Sequence, residues 1–308
     1  MLFRSKGRVF QTLLGHSEKT YESFEASEMI RRAAAWVARR PVVPRPRPAE
    51  PEAKTTTAPQ PAPKKPLSPD AILVAGRFDK ALDARQVGLD IPGRAEYRTP
   101  PITVECWAQL RQKANYNILI ANELKTSATH WELFSMAGSG MFTAYLPGMT
   151  PDHVHSKKEI ADGKWHHVAM NLEPNRVRLY VDGQQVADER VEFSKRPTID
   201  GGLSIGKLVG AEIGCDGLID EVRITRGIRS FDKLPDQPYP FDDKTIGLWH
   251  LDILDPQQRS PDDSSLKNHA KQAQADPSPA RKYVKDHWGV EAVGFAWTET
   301  DSRDGRWQ

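Results

Sequence analysis

Apolar and polar residues alternate along the middle of the chain, a period of two that predicts β-strands rather than helices. The clearest case is the run Val-Arg-Leu-Tyr-Val at 177–181, which is followed by Asp182-Gly183 and a second alternating run at 184–187. Asp-Gly is a pair that a tight turn with positive φ favours. The sequence therefore predicts a β-hairpin at 177–187.

Further short runs with strand character are separated by clusters of Gly, Pro, Asp and Asn. They cover 87–91, 102–110, 117–123, 131–136, 141–146, 165–172, 203–206 and 217–225. Many short strands without intervening helices are typical of an antiparallel sandwich or barrel. We therefore predict an all-β domain from about residue 70.

The first 40 residues follow a different pattern. Residues 8–14 have the composition of a short strand, and apolar positions at roughly helical spacing predict a helix over 23–39 that ends before Pro41. One strand and one helix cannot bury a core by themselves. The segment is therefore predicted to be a remnant of a larger α/β domain, at residues 1–40.

A proline-rich segment follows at 41–69. It contains ten of the 24 prolines and no aromatic residue. Proline favours extended geometry, and a stretch without large apolar residues cannot form a core. We predict a disordered linker that proteases cut readily. At the other end, the tail 276–308 contains Trp288, Phe295, Trp297 and Trp307 and is predicted to be the truncated start of another domain.

Charge and hydropathy exclude two classes of partner. The chain has 43 Lys and Arg against 41 Asp and Glu, a formal net charge of +2, which gives no broad basic surface for nucleic acid. No apolar run approaches the roughly 18 residues that cross a bilayer. We expect neither nucleic acid binding nor a membrane span.

The two cysteines form no CxxC metal motif. Cys106 lies within a predicted strand and Cys215 just before another. Two buried thiols that fill the core are favoured, and a single disulfide is the alternative, which would need Cα atoms within about 7 Å.

Five segments, in order, carry a resemblance to a known family. They are Gly-Arg-Phe-Asp-Lys-Ala-Leu at 76–82, Ile-Thr-Val-Glu-Cys-Trp-Ala at 102–108, Gly-Lys-Trp-His-His-Val-Ala at 163–169, Val-Arg-Leu-Tyr-Val-Asp-Gly at 177–183 and Gly-Leu-Ile-Asp-Glu-Val-Arg-Ile at 217–224. Together they resemble the laminin-G-like, concanavalin-A-like jelly-roll family. The resemblance implies a two-sheet antiparallel sandwich over 70–275 that binds carbohydrate or protein without catalysis, sometimes with calcium.

One family segment is displaced. A strand of the type Leu-Trp-His-Leu-Asp and an Asp-Ser-Ser-x-x-Asn-His loop often open such domains, but here they come last, at 248–252 and 263–269. Because the ends of a sandwich commonly lie close together, a strand can move from one terminus to the other. We predict that 246–252 is a permuted strand inside the sandwich.

The N-terminal segment carries a second, shorter resemblance. Gly7-Arg8-Val9-Phe10, Leu14-Gly15-His16 and the helix ending Trp36-Val37-Ala38-Arg39 resemble the C-terminal end of ThuA-like domains, where His16 would match the histidine of a Gly-His motif. The start shows no apolar export signal. Because the chain resembles a fragment of a larger multidomain protein, we nevertheless expect an extracellular or periplasmic location.

Two sets of candidate binding residues follow. Sugars stack on exposed aromatic rings, and the candidates in the middle strands are Tyr116, Trp131, Phe142 and Tyr145, each with a core position as the alternative. Calcium takes six to eight hard oxygen ligands. The candidates for calcium are Asp220, Asp252, Asp263 and Asn268, with structural hydrogen bonding as the alternative role of Asp220.

Other polar patterns favour structural roles. His166 and His167 are adjacent on a strand and should point to opposite faces, whereas His153 and His155 share a face but lack further metal ligands in the sequence. The carboxylate run at 188–192 lacks the strand pattern of sandwich-fold glycoside hydrolases. A non-catalytic binding module is therefore predicted, with a ligand-free spacer domain as the main alternative and a hydrolase as the less favoured one.

Overall fold

The computed structural model describes residues 2–5, 8–11, 24–38, 40, 66–194, 197–211 and 213–273. The described residues fall into two units, one before residue 41 and one from residue 66. Most of the predicted linker, the predicted tail at 276–308 and His16 lie outside the described residues.

The N-terminal unit contains a hairpin and a helix. Strands β1 (Leu2–Ser5) and β2 (Arg8–Gln11) pair antiparallel, and helix α1 spans Phe24–Val37. Glu28 forms ion pairs with Arg31 and Arg32 one turn further along the helix. The predicted helix is confirmed, whereas the ThuA-like origin of this unit stays a prediction.

The second unit begins with helix α2 (Pro69–Ile72) and consists mainly of strands. These are β3 (Leu73–Ala75), β4 (Lys80–Asp83), β5 (Leu89–Ile91), β6 (Ile102–Leu110), β7 (Asn117–Asn122), β8 (Trp131–Ser135), β9 (Met141–Tyr145), β10 (Met149–Thr150), β11 (His153–Glu159), β12 (Trp165–Glu173), β13 (Arg176–Val181), β14 (Gln184–Arg190), β15 (Glu192–Phe193), β16 (Leu203–Ile205), β17 (Gly217–Arg226), β18 (Thr245–Trp249), β19 (Arg259–Ser260) and β20 (Ala270–Gln272). A 3₁₀ turn at Ala95–Arg98 precedes β6.

Two eight-stranded antiparallel sheets form the sandwich. The first sheet has the order β11-β9-β8-β7-β16-β5-β20-β19, and the second has the order β14-β13-β12-β6-β17-β4-β3 with β18 also beside β17. Alternate side chains of both sheets, such as Leu133 of β8 and Met170 of β12, fill one core between them. The predicted jelly-roll sandwich is confirmed.

Two local predictions can be checked directly. The hairpin at 177–187 is formed by β13 and β14, and Asp182 and Gly183 have φ of 51° and 79°, as the turn requires. The displaced segment forms β18, which pairs with the C-terminal half of β17 and buries Leu248 and Trp249 completely. The permuted strand is therefore part of the second sheet.

The cysteines agree with the favoured expectation. Cys106 and Cys215 are not joined in a disulfide, and both thiols are buried in the core. Among the residues described, no helix is long and apolar enough to span a membrane.

Candidate functional site

The alternation of side chains in the first sheet divides its residues between the core and an outer face. In β8, Trp131 and Leu133 point into the core, so Glu132 and Phe134 lie on the outer side. The strand register places Tyr145 of β9 opposite Glu132 and next to His153 of β11. Residues distant in the sequence therefore meet on one surface.

Ring-bearing side chains form two groups on this surface, which together we name the aromatic face: Tyr116 with Phe134, and Tyr145 with His153 and His155. The rings of Tyr116 and Phe134 lie 5.9 Å apart, those of Tyr145 and His153 4.4 Å, and those of His153 and His155 5.4 Å with planes 13° apart. His155 is exposed, and Tyr116, Tyr145 and His153 are partly exposed. The aromatic face thus offers ring surface to a ligand.

Glu132 lies beside the aromatic face and is fully buried. Neither of its carboxylate oxygens has a hydrogen-bond partner among the described residues. Its nearest charged neighbour is the Lys125 Nζ, 3.6 Å from Oε1, and the Nε2 of His130 lies 3.4 Å from Oε2. Buried polar groups normally have a hydrogen-bond partner. The oxygens of Glu132 can therefore still accept hydrogen bonds from a ligand.

Lys125 connects this carboxylate to the aromatic face. Its Nζ lies 5.2 Å from the centre of the Tyr145 ring, a cation–π distance. Burial lowers the pKa of Lys125, while the negative charge of Glu132 acts in the opposite direction. The ammonium therefore balances the charge of Glu132 where water is scarce.

The loop that carries Lys125 and His130 is held by Glu123. This residue has a φ of 63°, and its carboxylate accepts hydrogen bonds from Arg98 (2.7 Å), Ser127 (2.7 Å) and Thr129. The Nδ1 of His130 lies 3.0 Å from the main-chain oxygen of Glu123. These contacts fix the position of both side chains beside Glu132.

The four predicted ring residues separate into two pairs. Tyr116 and Tyr145 lie on the aromatic face, but Trp131 and Phe142 belong to the core, where they are 1% and 0% exposed. The Nε1 of Trp131 donates to the main-chain oxygen of Tyr97 at 2.9 Å. Trp131 and Phe142 present no ring to solvent, because alternate residues of a strand point into the core. The structure thus shows the core position that was the alternative role of these two residues.

Sequence reasoning did not find Glu132, Lys125 or His130. The usable signal was the spacing of His153 and His155, which put both rings on one face of β11, but the sequence does not reveal which strand lies beside them. The pairing of Glu132 with Tyr145 is a property of the register alone.

The predicted calcium residues are brought together only in part. The Oδ2 of Asp220 accepts hydrogen bonds from the amides of Arg77 and Phe78 at 2.8 and 3.0 Å, and Asp252 accepts one from the amide of Lys80 at 2.9 Å. Burial raises the pKa of Asp220 to about 7, and the negative charges of Glu221 and Asp252 contribute to the rise. Asp220 and Asp252 are therefore close enough to repel each other.

The other two predicted ligands have different surroundings. Asp263 lies 3.8 Å from the Nε2 of His250, whose Nδ1 is 2.7 Å from Glu221. The Nδ2 of Asn268 donates to the Pro92 main-chain oxygen and to the Tyr97 hydroxyl. Within the described part of the chain, no three His, Cys, Asp or Glu side chains are arranged to hold a metal ion. Calcium binding by Asp220, Asp252, Asp263 and Asn268 therefore stays a prediction.

The outer face of the second sheet is covered by the chain itself, through the covering segment 227–243. Phe231 of this segment lies 5.4 Å from the ring of His167, and Tyr239 packs with Trp107 and Leu248. Beneath it, Glu105 is contacted by the Nε2 of His167 at 3.1 Å and by Arg223 at 2.9 Å. Burial alone would raise the pKa of Glu105, but the bond with His167 and the charge of Arg223 hold it below its usual value.

The remaining polar patterns have structural partners. His166 contacts Asp182 through Nδ1 at 2.7 Å and Asp162 through Nε2 at 3.0 Å, whereas His167 contacts Glu105 on the outer face. Asp188, in the carboxylate run at 188–192, lies on the exposed edge strand β14 and accepts a hydrogen bond from Arg176 of β13. Each of these groups has a partner that explains its position.

Comparison with known proteins supports the laminin-G-like resemblance. Residues 84–232 match the laminin-G-type family model described as the concanavalin A-like lectin/glucanases superfamily. A search of curated proteins finds no match.

Solved structures resemble this chain to different degrees. A candidate carbohydrate binding protein from Bacteroides ovatus is 14% identical with a TM-score of 0.50, over 63% of this chain and 58% of that chain. Domain 4 of an extracellular arabinanase from Geobacillus stearothermophilus, solved with arabinotriose, is 18% identical with a TM-score of 0.40, over 52% and 76%. The CBM40 domain of a Ruminococcus gnavus sialidase is 13% identical with a TM-score of 0.35, over 47% and 93%. At these identities the likeness concerns the fold.

Proposed function

We propose that the sandwich is a non-catalytic carbohydrate-binding module of an exported multidomain protein, and that its ligand lies on the aromatic face. The observation that carries the proposal is that partly exposed rings lie beside a buried carboxylate whose oxygens have no hydrogen-bond partner among the described residues. Sugar sites combine these two elements, since pyranose C–H faces stack on rings and hydroxyls need fixed polar partners.

The same surface argues against hydrolysis. Glycoside hydrolases need two carboxyl groups facing one cleft, about 5–5.5 Å apart in retaining enzymes and roughly 6.5–9.5 Å apart in inverting ones. Two carboxylates on neighbouring segments have other partners: that of Glu123 accepts from Arg98, Ser127 and Thr129, and that of Asp152 lies 2.9 Å from the Nδ1 of His153. Both are engaged in local contacts, which favours a non-catalytic role for Glu132.

A glycan array probed with the full chain tests the function. We expect reproducible binding to at least one glycan class, and loss of most of that signal in Tyr145→Ala. The matched control is Phe241→Ala, an aromatic residue that is 50% exposed and lies on the covering segment. Absence of reproducible binding across the array would support the spacer alternative, and an unchanged signal in Tyr145→Ala would place the ligand on another surface.

A further inference from the structure

Glu132 is a buried carboxylate of the first sheet that makes no hydrogen bond of ordinary geometry with the described residues. Its side chain is 0% exposed, yet both oxygens lack partners within the described ranges. Leaving a buried charged acceptor without donors is unfavourable, and such groups in native proteins commonly have a role beyond stability.

The neighbours of Glu132 balance its charge and leave its lone pairs available. The Lys125 ammonium is 3.6 Å away, beyond ordinary hydrogen-bond length, and the His130 Nε2 at 3.4 Å has no hydrogen-bond partner in the described part of the chain. A carboxylate has about four lone-pair positions and can accept from two hydroxyls at once.

We propose that Glu132 is the principal hydrogen-bond acceptor of the aromatic face, and that it selects neutral glycans over acidic ones. This inference rests on the proposed function. Adjacent sugar hydroxyls would donate to its two oxygens while the ring stacks on Tyr145, which lies opposite Glu132 in the strand register. An acidic sugar would bring a second carboxylate next to the first, and the single ammonium of Lys125 can balance only one of the two negative charges, so the carboxylates would repel each other.

Lys125 is the partly exposed neighbour of Glu132: its side chain is 22% exposed, and its ammonium lies 3.6 Å from the carboxylate and 5.2 Å from the centre of the Tyr145 ring. A lysine side chain has four flexible methylene groups, so its ammonium can shift toward solvent when hydroxyls replace it. Ligand binding therefore needs a side-chain movement and no change in the strands.

The wild-type chain provides a test that needs no mutation. On an array that carries neutral hexose, neutral N-acetylhexosamine, uronic acid and sialic acid glycans, we expect signal on the neutral classes. Signal confined to the acidic classes would overturn the selectivity and leave the carbohydrate function standing. No signal on any class would overturn the proposed function and this inference with it.

Glu132→Gln tests the role of the charge on the best neutral glycan from the array. Hydrogen bonds to charged groups contribute enough that their loss weakens binding by roughly ten-fold or more, so isothermal titration should show a Kd higher by that factor. The matched control is Glu189→Gln, an exposed carboxylate on β14, with unchanged Kd. Equal Kd values for Glu132→Gln and wild type would overturn the inference. If Glu132→Gln does not fold, the wild-type array decides.

Discussion

The aromatic and acidic residues on the two outer faces of the sandwich have opposite surroundings. On the second sheet, the covering segment 227–243 packs Phe231 and Tyr239 over the sheet, and Glu105 beneath it is paired with His167 and Arg223. On the first sheet, the rings of Tyr116 and Tyr145 are partly exposed, and Glu132 lacks donors among the described residues.

This difference separates a structural acidic residue from a candidate binding residue. A buried carboxylate with two cationic partners is stabilised by them and is not available to a ligand. Glu132 also has two basic neighbours, but Lys125 and His130 lie 3.6 and 3.4 Å away and make no hydrogen bond of ordinary geometry with it, so its oxygens can accept from a ligand. Glu105 and Glu132 are both buried, and their hydrogen bonds are what distinguish the structural residue from the candidate binding residue.

The largest expected effect concerns aromatic residues on the two sides of the first sheet. Trp131→Ala should lower the free energy of unfolding by about 3–5 kcal/mol, because it leaves a cavity in the core. Tyr145→Ala, on the outer side, should lower it by about 1 kcal/mol or less. Urea denaturation followed by circular dichroism measures both. Similar losses for the two variants would show that Tyr145 belongs to the core.

The next comparison sets the two buried carboxylates against each other. Glu105→Ala should cost about 3 kcal/mol or more, because Arg223 would remain buried without its partner. Glu132→Gln should lower stability by less than this, because Gln keeps the size of the side chain and the Lys125 ammonium, whose side chain is 22% exposed, can turn toward solvent. The same denaturation assay applies, and a greater loss in Glu132→Gln than in Glu105→Ala would reverse the assignment of roles.

Asp220 should make stability depend on pH. Its pKa is raised to about 7 by burial and by neighbouring carboxylates, so the folded state holds a proton that the unfolded state releases near pH 4. The stability that the protonated Asp220 carboxyl contributes is fully present below about pH 4 and is lost as the pH rises through about 7. The free energy of unfolding should change by about 1–3 kcal/mol over this range.

Asp220→Asn should remove most of this slope, because the amide stays neutral and can still accept from the Arg77 and Phe78 amides. Melting temperatures between pH 4 and pH 8 measure the slope. Asp243→Asn, at an exposed position, is the control and should keep the wild-type profile. A wild-type slope that survives in Asp220→Asn would assign the proton to another group.

Of these predictions, the addition of calcium should have the smallest effect on the stability of the chain. A cation near Asp220, Asp252 and Asp263 would relieve the repulsion that raises the pKa of Asp220. Binding at ten times Kd would add about 1.4 kcal/mol, seen as a higher melting temperature in millimolar calcium than in EDTA. No shift in the wild-type chain would show that these carboxylates do not bind calcium, and a shift that persists in Asp263→Asn would exclude Asp263 as a ligand.

The sequence by itself determined the elements and the class of fold. The alternation at 177–187 and the Asp-Gly turn encode the hairpin, because side-chain direction in a strand and positive φ in a tight turn are local properties. The resemblance of 248–252 to a family strand was likewise enough to place β18 in the sandwich.

Only the tertiary structure decided which rings and acids face a ligand. Trp131 and Glu132 are neighbours in the sequence, yet one belongs to the core and the other lies beside Tyr145. The register between β8 and β9 sets this, and a shift of one residue would exchange the two faces. Glu105 is paired with His167 and Arg223, which lie 62 and 118 positions further along the chain, so no local pattern in the sequence contains that information.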